Sequence, residues 1–299
     1  MISRRTFLRG AALTAAAGAS FTLDYWQADA KDAKSDLAQS LARIEAKTGG
    51  KLGVAILDTD GNAQTGYRSS DRFPMASTFK ALLAGAVLAR VDAGEEQLDH
   101  RIHFDASALP DYSPTSSKHV GDDGMTVAEL CEAAVTLSDN GAANQLLDLI
   151  GGPQALNDFL VRLGDKTTHL DRRELDLNDA AYGAPNDSTS PAAMLASLRS
   201  LTLGTALSSS SRQLLIAWLK DCKTGDNRLR AGLPKDWVVG DKTGTWNKLG
   251  TANDVAILWP PGRAPVLIAA YLTNTPKLDA KARDAALAEV ARAVVAWLG

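Results

Sequence analysis

Apolar positions along this chain change period several times, and each change marks an element. From Ser35 to Thr48, Leu37, Leu41 and Ile44 recur at spacings of four and three, which predicts an amphipathic helix ended by Gly49-Gly50. Leu52 to Leu57 reads as a short apolar strand, turned at Asp60-Gly61 and returned by Ala63 to Tyr67. From Ser77 the spacing becomes helical. Lys80 to Arg90 is almost wholly apolar between its charged ends, which predicts a helix buried on most sides. Thr126-Val127-Ala128-Glu129 has the form of a capping box opening a helix to about Leu137. Further helices are expected from Asn144 to Ile150, from Pro153 to Leu163, from Ser190-Pro191 onward and from Ser211 to Lys220. Strands then return in three runs, Trp237 to Thr245, Ala252 to Trp259 and Pro265 to Leu272. Asp279 to Leu298 closes the chain as a helix with Leu287, Val290, Val294 and Trp297 on one face.

This order puts strands at both ends of a helical block. They can share one antiparallel sheet only if the block is an insertion. The expected architecture is therefore α/β. Residues 31–68 and 230–299 form one α/β lobe, with an antiparallel five-stranded sheet flanked by the terminal helices, and residues 69–229 form an inserted all-α lobe.

The first 30 residues stand apart from this pattern. Ser3-Arg4-Arg5-Thr6-Phe7-Leu8-Arg9 precedes a small, apolar run from Gly10 to Leu23, and Ala28-Asp29-Ala30 offers small residues for signal peptidase. That is the form of a twin-arginine export signal, with no cysteine near the cut for a lipid anchor. The expected location is the periplasm, without a stable membrane anchor. Composition is that of an ordinary globular chain: 299 residues, 45% hydrophobic and 22% charged. A net charge of -3 gives no footprint for nucleic acid.

Three short motifs carry chemistry. In Ser77-Thr78-Phe79-Lys80 the hydroxyl and the ammonium lie one helical turn apart, at the point where the chain becomes apolar. A buried ammonium needs a partner or a depressed pKa, and either lets it activate the serine. Ser138-Asp139-Asn140 ends a predicted helix before Gly141, and Lys242-Thr243-Gly244-Thr245 lies on a predicted strand. The latter is no phosphate loop, because Asp241 precedes the lysine. Singly, each motif is also a cap, a turn or an edge strand; in this order they are a joint signal.

Together they make the chain resemble the class A serine β-lactamases. Glu174-Leu175-Asp176-Leu177-Asn178 looks like that family's ExxLN loop, and Arg172 with Asp187 like the ion pair at its neck. Tyr112-Ser113-Pro114 is similar to its active-site wall, and Thr224, Gly225 and Arg228 to the subgroup that places an arginine ahead of the KTG strand. The resemblance implies a serine β-lactamase/DD-peptidase-like fold, a monomer and a small β-lactam substrate, with no cofactor and no metal. It implies that Ser77 attacks the lactam carbonyl and that either Lys80 or Glu174, through water, takes its proton. The backbone N–H groups of Ser77 and Thr245 would then form the oxyanion hole. Ser138 would serve the leaving nitrogen, and Glu174 with Asn178 would hold the deacylating water. Lys242, Thr243, Thr245 and Arg228 would hold the substrate carboxylate. Asn140 would hold the acylamide, and Tyr112 would wall the cleft.

Two positions depart from the family's commonest pattern. Leu175 stands where many members have proline, and the resemblance implies a cis peptide before it, held by Asn144. Trp246 follows Thr245 where members have a small residue or cysteine. Other functions remain in view: a penicillin-binding DD-peptidase would lack the ExxLN loop, and a β-lactam sensor that stays acylated would lack a working Glu174. The four histidines accompany no nucleophile motif. The resemblance also implies that the helices before Ser138 and before Thr224 lead to opposite sides of the cleft, so Cys131 and Cys222 are expected to be free and buried.

Overall fold

The computed structural model describes residues 36–299, so the expected export signal lies outside the described residues. Helix α1 covers residues 36–48 and buries Leu37, Leu41 and Ile44 as the spacing predicted. Strands β1 (Lys51–Asp58) and β2 (Ala63–Tyr67) form the expected hairpin, with Val54 opposite Tyr67. Next come β3 (Phe73–Pro74), α2 (Phe79–Asp92), β4 (Arg101–Ile102) and β5 (Met125–Thr126). The helical block continues with α3 (Val127–Thr136), α4 (Asn140–Ile150) and α5 (Pro153–Arg162). After β6 (Ser188–Thr189) come α6 (Pro191–Thr202), α7 (Ser209–Lys220) and the one-turn α8 (Leu229–Gly232). Strands β7 (Val238–Trp246), β8 (Thr251–Trp259) and β9 (Val266–Thr273), then α9 (Ala280–Leu298), complete the chain.

The five long strands make one antiparallel sheet in the order β2-β1-β9-β8-β7, so both ends of the chain meet at its centre. Side chains alternate across a strand, and here each face has its own core. Leu52, Val54 and Ile56 pack with α1 and with Leu287, Val290 and Val294 of α9. Ala55, Leu57, Val255 and Ile257 face the other way, onto the helical block. A register slip of one residue would exchange the two faces, which is why the pairing is fixed so firmly.

Helix α2 is the axle of the block. Every residue from Phe79 to Leu88 is buried. Gly85 lets α6 press against it, since a Cβ there would fall 2.7 Å from Leu201 Cδ1. The capping box at Thr126 and Glu129 forms in both directions. One expectation shifts: α4 begins at Asn140, not Asn144. Asp139 caps it, accepting from Ala142 N at 2.8 Å, so the SDN motif is a junction between two helices, not the end of one.

Both cysteines are buried and unbridged, Cys131 on α3 and Cys222 just beyond α7. Burial pushes both thiols' pKa values up, which keeps them unreactive. The denatured, unreduced protein should react with two equivalents of a thiol reagent, and the native protein with fewer. Zero equivalents after denaturation would show a disulfide.

Candidate active site

Ser77 sits on a tight corner. Ala76 has φ 43°, in the left-handed region that a side chain disfavours, and it opens the single 3₁₀ turn Ala76–Thr78 that runs into α2. Tyr112 (φ 60°) and Ser138 (φ 59°) are held in the same region around the same cleft. Such positions persist only where the surroundings enforce them, and they gather at functional sites. Strand β7 comes close to the serine because residue 244 has no side chain. A Cβ on Gly244 would lie 2.7 Å from Met75 O and 3.2 Å from Ser77 N.

Lys80 follows Ser77 by one turn and is fully buried. Its Nζ donates to Ser77 Oγ (3.0 Å), to Ser138 O (2.9 Å) and to Asn140 Oδ1 (2.5 Å), and lies 2.9 Å from Glu174 Oε1. Burial lowers its pKa, and the Glu174 carboxylate works in the opposite direction. Ser77 Oγ in turn donates to Glu174 Oε1 at 3.1 Å. The hydroxyl therefore touches both an amine and a carboxylate, the geometry of an activated nucleophile.

Glu174 is positioned from both sides. Its Oε2 accepts from Asn178 Nδ2 at 2.8 Å. Asn144 bonds the Glu174 backbone twice, donating to its carbonyl (2.9 Å) and accepting from its N–H (3.1 Å). The Glu174-Leu175 peptide is cis, as the resemblance implied. At the neck of this loop Arg172 Nε reaches Asp187 Oδ2 at 2.6 Å. Asp187 Oδ1 also accepts the backbone N–H groups of Asp171 and Arg172, both at 2.9 Å.

Across the cleft, Lys242 is fully buried and donates to Ser138 Oγ (3.0 Å) and to Thr243 O (2.8 Å). Burial pushes its pKa down to about 8. Arg228 is buried as well, and its guanidinium is mostly engaged. Nε donates to Asp284 Oδ1 (2.8 Å), while Nη1 donates to the carbonyls of Gly244 (2.9 Å) and Asn253 (2.8 Å). Nη2 donates to Thr245 Oγ1 at 2.6 Å. A guanidinium has five N–H groups and no lone pair. Arg228 therefore offers one N–H to a ligand and obliges the Thr245 hydroxyl to donate outward.

All the expected residues except Lys80 and Lys242 line one cleft of about 400 Å³, and those two lysines lie beneath it. Asn140 is partly committed, to Lys80 and, through Nδ2, to Asp111 O at 2.8 Å. Tyr112 is 61% exposed at the rim, and Trp246 forms the cleft edge beyond Thr245. No histidine lines it. Sequence reasoning missed Asp139 as an organiser: its carboxylate also accepts from Thr115 N (2.8 Å) and Ser116 N (2.9 Å), tying the Tyr112 wall to α4. It also missed Asp284, which comes from α9, and no local signal could have found it.

The sheet with its helical insertion and this serine–lysine–glutamate cluster define an active-site serine hydrolase of the acyl-transfer kind. Comparison with known proteins gives the family. The profile of the β-lactamase enzyme family matches residues 36–298. The chain is 48% identical over 263 residues to the carbapenem-hydrolyzing β-lactamase KPC of Klebsiella oxytoca, spanning 88% of this chain and 89% of that protein. It is 45% identical over 260 residues to β-lactamase CTX-M-8 of Citrobacter amalonaticus, spanning 87% and 88%. Among solved structures, an ancestral (GNCA) class A β-lactamase superposes with a TM-score of 0.84 at 61% identity, covering 87% of this chain and 98% of that one. A putative class A β-lactamase PenP from Rhodopseudomonas palustris does so at 0.84 and 55%, again covering 87% and 98%. The chain belongs to the β-lactamase enzyme family and has the class A fold.

Removing the carboxylate at the loop neck tests how the loop is held. Asp187→Ala leaves two backbone N–H groups and the Arg172 guanidinium without their acceptor. It should lower unfolding free energy by about 2–4 kcal/mol in a denaturant titration. An unchanged midpoint would mean that other contacts fix the loop.

Proposed function

We propose that this enzyme hydrolyses the lactam amide of penicillins and cephalosporins through an acyl-enzyme on Ser77, and so confers antibiotic resistance. The observation that carries this reading is the Ser77 hydroxyl set between Lys80 Nζ (3.0 Å) and Glu174 Oε1 (3.1 Å) in a buried site. In acylation the Ser77 oxygen attacks the carbonyl carbon and its proton passes to the adjoining base. Both Lys80 and Glu174 are within reach, and either serves. The backbone N–H groups of Ser77 and Thr245 receive the developing oxyanion. A donor of that kind contributes roughly 3–4 kcal/mol. Ser138, which accepts from Lys242, keeps its own proton free for the leaving nitrogen.

Deacylation needs a water held by a carboxylate. Glu174, aimed by Asn178 and Asn144, supports that role. The substrate carboxylate is met by the hydroxyls of Thr243 and Thr245 and by the remaining N–H of Arg228, with the buried Lys242 ammonium attracting it from beneath the cleft. Asn140 meets the acylamide side chain with its free N–H, and Tyr112 walls the opening. A buried, doubly positioned Glu174 favours turnover over a DD-peptidase or a sensor that stays acylated. Steady hydrolysis of nitrocefin by the purified chain separates these readings. We further propose export to the periplasm by the twin-arginine route and action there as a monomer. Among the described residues no helix is long and apolar enough to cross a membrane.

The Glu174→Ala variant should form a covalent adduct with benzylpenicillin at Ser77 yet clear it at least ~10² times more slowly, the scale of a lost general base. Intact-mass spectrometry reads this directly, and an adduct that clears at the wild-type rate removes Glu174 from the mechanism.

Arg228→Ala should raise KM for benzylpenicillin by about tenfold, the scale of a hydrogen bond to a charged group. Arg228→Lys should not restore it, because an ammonium cannot serve Asp284, two carbonyls and Thr245 at once. A lysine variant with wild-type KM would refute this account of the arginine.

A further inference from the structure

A buried cation stands behind the turn that ends strand β7. Arg283, in the first turn of α9, is only 4% exposed. Its Nη2 donates to Asn247 Oδ1 at 2.6 Å, and its Nε has no partner. Among the described residues it forms no ion pair. Asp284 is engaged by Arg228, so Asp284 and Asp279 favour the Arg283 charge only from a greater distance, against burial and against Arg228 itself. Asn247 opens the 3₁₀ turn Asn247–Leu249 between β7 and β8. It is exposed and lines the cleft.

The guanidinium settles which way this amide points. It can only donate, so the Asn247 atom facing it must be the oxygen. The NH2 group is then turned away from Arg283, and among the described residues nothing else accepts from it. The amide dipole has its oxygen on a cation and its N–H groups outward, which carries the positive potential of Arg283 to the cleft. A donor of that kind bonds an anionic acceptor more strongly than a neutral one. The turn also has a definite place along the cleft. Thr243 stands beside Thr224, whereas Lys248, one residue past Asn247, reaches Asp179 Oδ1 at 3.2 Å in the loop that carries Glu174. Asn247 is therefore at the far end of the cleft from Thr243.

We propose that Asn247 is a specificity-determining residue, aimed by Arg283, whose NH2 group binds a carboxylate on the acyl side chain of the β-lactam. This rests on the binding mode proposed above, with the lactam carbonyl at Ser77 and the ring carboxylate at Thr243. The acyl side chain and the ring carboxylate leave a penicillin on opposite sides of the lactam carbonyl, so the side chain extends toward the 247–249 turn. Asn247 does not touch the reacting atoms. It selects among substrates through KM.

The test uses the purified enzyme with benzylpenicillin and with carbenicillin, which adds one carboxylate to the same acyl side chain. Asn247→Ala should raise KM for carbenicillin about tenfold, the scale of a hydrogen bond to a charged group, and KM for benzylpenicillin by less than about twofold. Asn247→Asp keeps an acceptor for Arg283 but has no N–H to offer, so it should lose at least as much on carbenicillin as the alanine variant. Arg283→Leu frees the amide to turn over and should raise KM for carbenicillin in the same selective way, with kcat retained. Equal losses on the two penicillins in Asn247→Ala, or a wild-type KM for carbenicillin in Asn247→Asp, would overturn the proposal. A wild-type KM for carbenicillin in Arg283→Leu would overturn the aiming by Arg283. If the wild-type enzyme hydrolyses neither penicillin, the proposed function itself fails. If it hydrolyses both and Asn247→Ala matches it on both, only this inference fails.

Discussion

The site is organised by an ammonium that water cannot reach. An isolated buried cation costs on the order of several kcal/mol, so the chain must satisfy Lys80 from within. It does so from three directions. Ser77 comes from the turn before α2, Ser138 and Asn140 from the α3–α4 junction, and Glu174 from the loop across the cleft. None of these segments can move far without leaving the charge unpaired. The requirement that keeps the cation tolerable thus also fixes the Ser77 hydroxyl, the Ser138–Asn140 junction and the Glu174 carboxylate within a few ångströms.

The same constraint explains the unusual backbone around the cleft. Ala76, Tyr112 and Ser138 lie at positive φ because the short connections must turn sharply to bring their neighbours inward. Asp139 helps to enforce this, holding the Thr115–Ser116 segment while capping α4. The loop carrying Glu174 is secured at its base by Asp187 and at its tip by Asn144. A buried lysine, a capped helix and a pinned loop are therefore parts of one mechanical arrangement.

The carboxylate end follows another rule, that donors must be aimed. Arg228 cannot accept a hydrogen bond, so whatever it touches must turn its own proton elsewhere. Its commitment to two backbone carbonyls also joins β7 to β8 near the cleft. Lys242 divides its donors between Ser138 and the Thr243 carbonyl. This end of the cleft therefore presents few free N–H and O–H groups.

The sequence by itself determined the alternation of strands and helices, the insertion of the helical block into one sheet, and the motif residues that meet at the cleft. These are local properties: a period of two or of 3.6, a capping residue, a serine and a lysine one turn apart. They place Ser77, Lys80, Ser138, Glu174 and the KTG strand before any coordinate is known. Only the tertiary structure decided how those groups are wired. That α4 begins at Asn140 depends on Asp139 finding both Ala142 and the 115–116 segment. That Arg228 retains a single free N–H depends on Asp284, which stands 56 residues further along the chain. The segment carrying Cys222 and Thr224 meets Thr243 only once it has packed against β7. Hydrogen-bond direction depends on which lone pairs and protons meet in space, and sequence spacing carries no record of those meetings.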